Sequence, residues 1–176
     1  EIVLENIALG TEDKIIEFNQ FNESSSSTIK EIDKESKYYK RKFRLINFLD
    51  NKETYQKIKI KISKLKDYIK KNNIKKIDFM KKDTEGYEFE ILLGLENKIK
   101  LVDIIMFEHH YDNMIKKGYT FEDINKLLIK NNFNKIYKSR MPFRKTFEYI
   151  YKREELINWK ILKYQYLLLI IIMKSI

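Results

Sequence analysis

An α/β fold is the class this sequence predicts, and three observations predict it. Two short apolar runs, residues 77–82 and 102–107, each end in charged and polar residues. Helical patterns follow them at about 87–97 and about 121–132. Two further runs, 135–138 and 147–151, read as a closing antiparallel pair. Strand alternating with helix in this way is the mark of α/β architecture, and no solenoid-length repeat competes with it.

Taken in order, residues 2–10 read as a strand ending in a turn at Gly10, and 14–18 as a short partner strand. Residues 19–42 are polar, contain the run Ser24 to Ser27 and lack a core period, so they read as a loop with one helical turn. A loop of that length inside a domain is usually functional or disordered. The stretch Lys57-Ile58-Lys59-Ile60-Lys61-Ile62 alternates strictly, giving one apolar and one cationic face: a half-exposed or edge strand. Ser63 offers an N-cap for a helix over about 64–72, with Leu65, Tyr68 and Ile69 on one stripe. In the helix at about 87–97, Tyr87, Ile91 and Leu95 share a face and Leu92 adjoins it. Thr120 caps the next helix, whose stripe is Phe121, Ile124, Leu127 and Leu128. The loop joining the last two strands carries Arg140, Arg144 and Lys145; it either holds an acidic or phosphorylated substrate or is simply a basic connection. The tail, 154–176, ends in an apolar run at 164–173 that is far short of the roughly 20 residues a bilayer span requires. It reads as an extra element on the domain, as an anchor at a membrane surface, or as sequence foreign to the domain.

Composition narrows the function classes. A chain of 176 residues with 43 % apolar and 14 % aromatic residues has material for one real core. Without cysteine there is no disulfide framework and no thiolate metal site, which fits a reducing compartment; a cytoplasmic location is expected. The net charge of +10 invites a nucleic-acid reading, but Lys, Ile and Asn are abundant throughout, while arginine, the better reader of phosphate and base edges, is scarce. A solvated, compositionally biased surface is the preferred explanation, and nucleic acid is not the expected partner.

The chemistry concentrates at two predicted strand ends. Asp83-Thr84-Glu85-Gly86 closes the first apolar run, and Glu108-His109-His110 closes the second, so both histidines of the chain stand at one strand end. In open α/β sheets ligands bind at the carboxyl ends of the strands. The two ends are expected on adjacent parallel strands, opening on one cleft. Asp83 and Glu85 either face a ligand or load the N-terminus of the following helix, with Thr84 as its cap. Gly86 is an ordinary turn glycine or permits a close backbone approach. A histidine with a pKa near 6.5 can take a proton from a hydroxyl, and His109 is the preferred base, with His110 the alternative; both could instead merely cap the strand. Asp83, Glu85, His109, His110 and Asp112 include the ligand types of a carboxylate–histidine metal centre, but no local spacing supports one, and no metal is assigned. The serine run has no nucleophile-elbow glycines.

The order Lys81-x-Asp83-Thr84-Glu85-Gly86-Tyr87-Glu88-x-x-x-Leu92-x-Gly94, followed by a strand closed by Phe107-Glu108-His109-His110, resembles the core motif of FkbM-type methyltransferases. The resemblance covers most of residues 1–153 and is sharp over about 77–112; Lys82 departs from it, standing where the family usually carries an apolar residue. It implies a partial Rossmann-like methyltransferase sheet with flanking helices over 1–153. It implies methyl transfer from S-adenosylmethionine to a hydroxyl oxygen of a sugar, glycoconjugate or other small molecule. Residues 2–10 would be the third core strand, with Ile7 and Ala8 near the adenine ring. Asp83 would face the methionine or sulfonium end of the cofactor, and Glu85 would shape the site. The family's Gly-rich loop and ribose-binding acid have no counterpart, since the glycines are Gly10, Gly86, Gly94 and Gly118. The chain is therefore expected to be the later part of such a domain, binding the cofactor weakly and inactive by itself. The competing classes are a non-catalytic remnant of the fold and a basic polyanion-binding domain using residues 57–76.

Overall fold

The computed structural model describes residues 2–22, 27–47, 55–142 and 144–154. The expected tail beyond residue 154, with its apolar run at 164–173, lies outside the described residues, as do Ser24 to Ser26. The chain forms a mixed α/β fold of small sheets with flanking helices. Its elements are β1 (Ala8–Gly10), β2 (Lys14–Phe21), β3 (Glu31–Ile32), α1 (Lys37–Asn47), β4 (Tyr55–Lys64), α2 (Leu65–Lys71), β5 (Ile77–Lys82), α3 (Glu88–Leu95), a 3₁₀ turn (Glu96–Leu101), β6 (Val102–His110), β7 (Ile115–Lys116), α4 (Phe121–Lys130), β8 (Phe133–Arg140) and β9 (Thr146–Arg153).

Three strands form one sheet in the order β1-β4-β2, with β1 parallel and β2 antiparallel to β4. Two sequence expectations are corrected here. The first strand is only Ala8–Gly10 rather than 2–10, and the partner of β2 is β4, which lies between β1 and β2. The alternating lysine–isoleucine strand is therefore half-exposed, one of its two expected forms, but central rather than an edge. Its alternation reports one apolar and one wet face, with Ile62 fully buried and Lys57 exposed, and says nothing of how many neighbours the strand has.

The second sheet has the order β5-β6-β9-β8. β5 and β6 are parallel, with Lys82 opposite Phe107; β6 and β9 are antiparallel, with His109 opposite Phe147 and His110 opposite Thr146. β6 does not stop at Phe107 but runs through both histidines, because β9 continues to pair with it there. α3 crosses between the parallel pair, as a parallel connection requires. It is followed by the 3₁₀ turn rather than continuing to residue 97.

One core joins the two sheets. Ile62, Leu65 and Ile69 meet Ile91, Leu92 and Leu95 of α3, Phe107 of β6, Leu128 of α4, and Tyr149 and Tyr151 of β9. α3 lies so close on β1 that a Cβ on Gly94 would stand 2.0 Å from the Gly10 carbonyl oxygen. The N-terminus of α4 carries a full capping box: the Asp123 N–H donates to Thr120 Oγ1 at 3.3 Å and the Thr120 N–H to Asp123 Oδ2 at 2.8 Å. Ser63, in contrast, remains in β4; Lys64 occupies the N-cap of α2 with no side-chain cap bond.

The stretch expected to be a loop, 19–42, holds more order than its composition suggests. β2 extends into it, β3 pairs with β7, and α1 begins at Lys37. Tyr38, Tyr39 and Phe43 of α1 pack with Phe21, Met114 and Ile115 in a second small core. Ser36 Oγ accepts the Tyr39 N–H at 3.2 Å.

Candidate active site at the ends of β5 and β6

The turn after β5 is organised by a residue the sequence reading left in the background. Glu88, fully buried at the start of α3, accepts the Thr84 N–H at 3.3 Å, the Thr84 hydroxyl at 3.2 Å and the Gly86 N–H at 3.1 Å with one oxygen. Its other oxygen accepts the Tyr119 hydroxyl at 2.5 Å. The amides of the turn are thus taken by Glu88, while Tyr87, at the N-cap of α3, makes no side-chain cap bond. Glu85 (φ 45°) and Gly86 (φ 92°) both adopt left-handed backbone. For Gly86 the reason is also steric: a Cβ there would lie 2.7 Å from Ile115 Cγ2. The Glu85 carbonyl accepts the Thr28 hydroxyl at 2.6 Å, so the turn is clamped from the far side as well. A non-glycine residue in that conformation persists only where its surroundings hold it.

This turn aims the Glu85 side chain at β6. Glu85 Oε2 lies 3.3 Å from His110 Nε2. On the other side of the imidazole, Nδ1 is 3.0 Å from Thr146 Oγ1 and 3.8 Å from Asp112 Oδ2. The Thr146 contact is a hydrogen bond, whereas the Asp112 carboxylate acts at a distance and is itself anchored by the Met114 N–H at 3.0 Å. Burial pushes the Glu85 carboxyl up to about 7, against the pull of His110 and Lys42. Burial opposes the charge of His110, but the Asp112 and Glu85 carboxylates outweigh it and raise the imidazole above its ordinary value. Asp112 is lowered: burial would raise it, but His110 and the Met114 amide prevail. The result is a largely buried acid–imidazole pair in which both groups are raised above their ordinary values.

The other predicted site residues lie apart from this pair. His109 points to the opposite face, among the rings of Tyr111, Tyr119 and Phe121, and its buried Nδ1 has no hydrogen-bond partner. Burial, with Lys117 nearby, lowers it to about 4, so it stays neutral. Asp83 is half-exposed, 3.3 Å from the Lys81 amine. It lines a cleft of about 860 Å³ whose walls also include Ile7 and Ala8. The apolar part of the wall comes from residues such as Ile58, Ile60 and Met80, the polar part from Gln20, Asp83, Thr84 and the lysines Lys59, Lys61, Lys81 and Lys82. A cleft of that size with an apolar wall and converging polar groups is the form of a small-molecule site. Among the described residues no group of three or more His, Asp or Glu side chains is arranged to hold a metal ion. Nor is any of their helices long and apolar enough to cross a membrane.

Sequence reasoning missed Glu88, Tyr119 and Thr146 as parts of this arrangement. Glu88 stood inside the motif and could have been found by asking what satisfies the amides of the turn. Thr146 gives no local signal, because only the pairing of β9 with β6 brings it to His110.

The family model described as the methyltransferase FkbM domain matches residues 1–137. The chain belongs to the FkbM methyltransferase family. No curated protein and no solved structure is similar to it at a significant level. Within this FkbM domain, the match includes the Glu85 turn and both histidines but ends before Thr146.

Proposed function

We infer that this FkbM-family protein is an S-adenosylmethionine-dependent O-methyltransferase acting on a hydroxyl of a sugar, glycoconjugate or similar small molecule. The observation that carries the reading is the buried Glu85–His110 pair, 3.3 Å apart, which links the ends of β5 and β6 next to Asp83 and Thr84, the residues after β5 that line the cleft with Ile7 and Ala8. When bound, S-adenosylmethionine supplies a methyl group made electrophilic by its sulfonium. The Ile7–Ala8 wall offers an apolar seat for a purine, and the Asp83 carboxylate, exchanging the Lys81 amine 3.3 Å away for the ligand, holds a cationic tail. Glu85 takes the proton of the acceptor hydroxyl, because a carboxyl held near 7 combines basicity with availability at neutral pH. His110 Nε2 stabilises the pair through that exchange, and Thr146 with Asp112 fixes the imidazole. His109, neutral among aromatic rings, packs the far face of the strand. The parallel β5–β6 pair crossed by α3 supports the later part of a Rossmann-like sheet, with the site at the carboxyl ends of its strands. The polyanion alternative loses ground because Lys57 is paired with Glu17, Lys64 and Lys66 with Glu96, and Lys76 with Asp78 and Asp103.

The test is transfer of a labelled methyl group to a panel of sugars by the protein expressed from its complete coding sequence. Glu85→Gln and His110→Gln should each lower turnover by roughly 10²–10⁴-fold with little change in cofactor affinity. Asp83→Asn should instead weaken cofactor binding measured by calorimetry. Full turnover in both the Glu85 and the His110 variant would overturn the assignment, and a His109→Gln variant identifies which histidine matters.

A further inference from the structure

A second cavity, of about 660 Å³, opens between the start of α1, the segment after β6 and the β8–β9 turn. It is distinct from the cleft that holds Asp83, yet its wall includes Asp112, the carboxylate 3.8 Å from the His110 ring. Its charge is uneven. Lys37, Arg41, Arg140, Arg144 and Lys145 line it, and none of the five has a carboxylate within ion-pair distance among the described residues. The acids in the same wall are engaged elsewhere. Glu35 is bound to Lys40 at 2.5 Å, Asp33 accepts the Glu35 N–H at 2.9 Å, and Asp112 serves His110 and Met114.

The choice of cation also singles out this place. The chain uses lysine almost everywhere and has only five arginines, of which three line this one cavity. Arginine presents a planar fork of donors that fits the oxygens of a phosphate or carboxylate, where lysine offers a point charge. The Arg41 guanidinium carbon lies 5.5 Å from the centre of the Tyr38 ring, a cation–π distance, and Arg140 Nε donates to the Arg144 carbonyl at 3.3 Å. Tyr38 and Asp112 both line the cavity, and Asp112 lies 3.8 Å from the His110 ring, so the cationic wall and the Glu85–His110 pair share one neighbourhood.

We propose that this cavity is the acceptor subsite, and that the acceptor carries an oxyanion, a phosphate or a carboxylate, gripped by Arg41, Arg144 and Arg140. The anionic group would lie against the arginines, the sugar ring against Tyr38 and Tyr111, and the hydroxyl toward the Glu85–His110 pair. That the oxyanion belongs to the acceptor rests on the function proposed above; that the cavity binds an oxyanion does not.

The experiment has two arms. In the first, inorganic phosphate is titrated into the protein while the imidazole resonances of its two histidines are followed. Phosphate should move the His110 signals and leave those of His109 nearly still, and Arg144→Gln or Arg41→Gln should weaken the effect at least roughly tenfold, as expected for loss of a charge-assisted hydrogen bond. An unmoved His110, or variants that bind phosphate as the unchanged protein does, would overturn the proposal. In the second arm, methyl transfer is compared for glucose, glucose 6-phosphate and glucuronate. Preference for either charged sugar, with KM raised at least tenfold by Arg144→Gln, supports the proposal and tells phosphate from carboxylate. Equal transfer to all three overturns it and leaves the methyltransferase reading intact. Arginine-dependent phosphate binding with no methyl transfer to any sugar keeps the anion site and removes the proposed function.

Discussion

Lys82 should be worth more to stability as methionine than as lysine. The side chain is 3 % exposed at the end of β5, its amine has no hydrogen-bond partner, and it stands 5.0 Å from the centre of the Phe107 ring. Burial lowers the amine from 10.5 to about 7, and the Glu88 carboxylate offsets only part of that cost. At about 1.4 kcal/mol for each tenfold change, this difference corresponds to roughly 4–5 kcal/mol lost on folding when the unfolded amine is charged. The sign follows from proton binding. Between about pH 7 and pH 10.5 the unfolded chain holds the proton more tightly than the folded one, so stability rises with pH across that window. Below it the full penalty applies; above it none does. Lys82→Met keeps the packed stem, places sulfur beside an aromatic ring and removes the charge. Urea unfolding of both proteins at pH 7 should show the variant more stable by about 2–4 kcal/mol, with the gap narrowing steadily toward pH 10.5. A variant less stable at pH 7, or a gap independent of pH, would show that the amine is satisfied and would refute the reasoning.

Three other perturbations test separate parts of the structure. Glu85→Gln should stabilise the fold at pH 8 by roughly 2–3 kcal/mol and change little near pH 4, because the carboxyl raised to about 7 loses stability as pH climbs from about 4.5 to 7; denaturation at the two pH values measures it. Glu88→Ala should cost about 3–5 kcal/mol by stranding the Thr84, Gly86 and Tyr119 donors, and hydrogen exchange at the Thr84 and Gly86 amides should accelerate well beyond that of α4. Gly94→Ala should cost about 2–3 kcal/mol in thermal unfolding, since its Cβ would meet the Gly10 carbonyl oxygen at 2.0 Å and force α3 off β1.

What was legible in the sequence was local. The strand at 77–82, the apolar face of α3, the Thr120 cap and the closing strand pair all follow from period and cap chemistry within a dozen residues. α1 was hidden because its apolar positions, Tyr38, Tyr39, Phe43, Leu45 and Ile46, are interleaved with five Lys and Arg side chains and continue past the end of the stretch that reads as a loop. The central place of β4 was hidden because alternation reports faces, not neighbours. Both histidines were visible as candidates, but which one meets Glu85 depends on the left-handed turn at Glu85 and Gly86, and that turn depends on Glu88. Lys82 stands where the family resemblance leads one to expect an apolar residue, and its burial against the Phe107 ring fits that expectation.

The pairing of β6 with β9 sets an order of events during synthesis. The strand that carries both histidines receives its second neighbour only when residues 146–153 have been made. Until then the stretch from Ile104 to His110 presents a row of unpaired backbone groups along a largely apolar strand, a ready template for another nascent chain. Thr146 arrives in the same step, so the imidazole gains its fixed orientation at the moment the sheet closes. A product cut after residue 137 would keep the whole matched motif and yet expose this seam, and its first symptom should be aggregation rather than a quiet loss of activity.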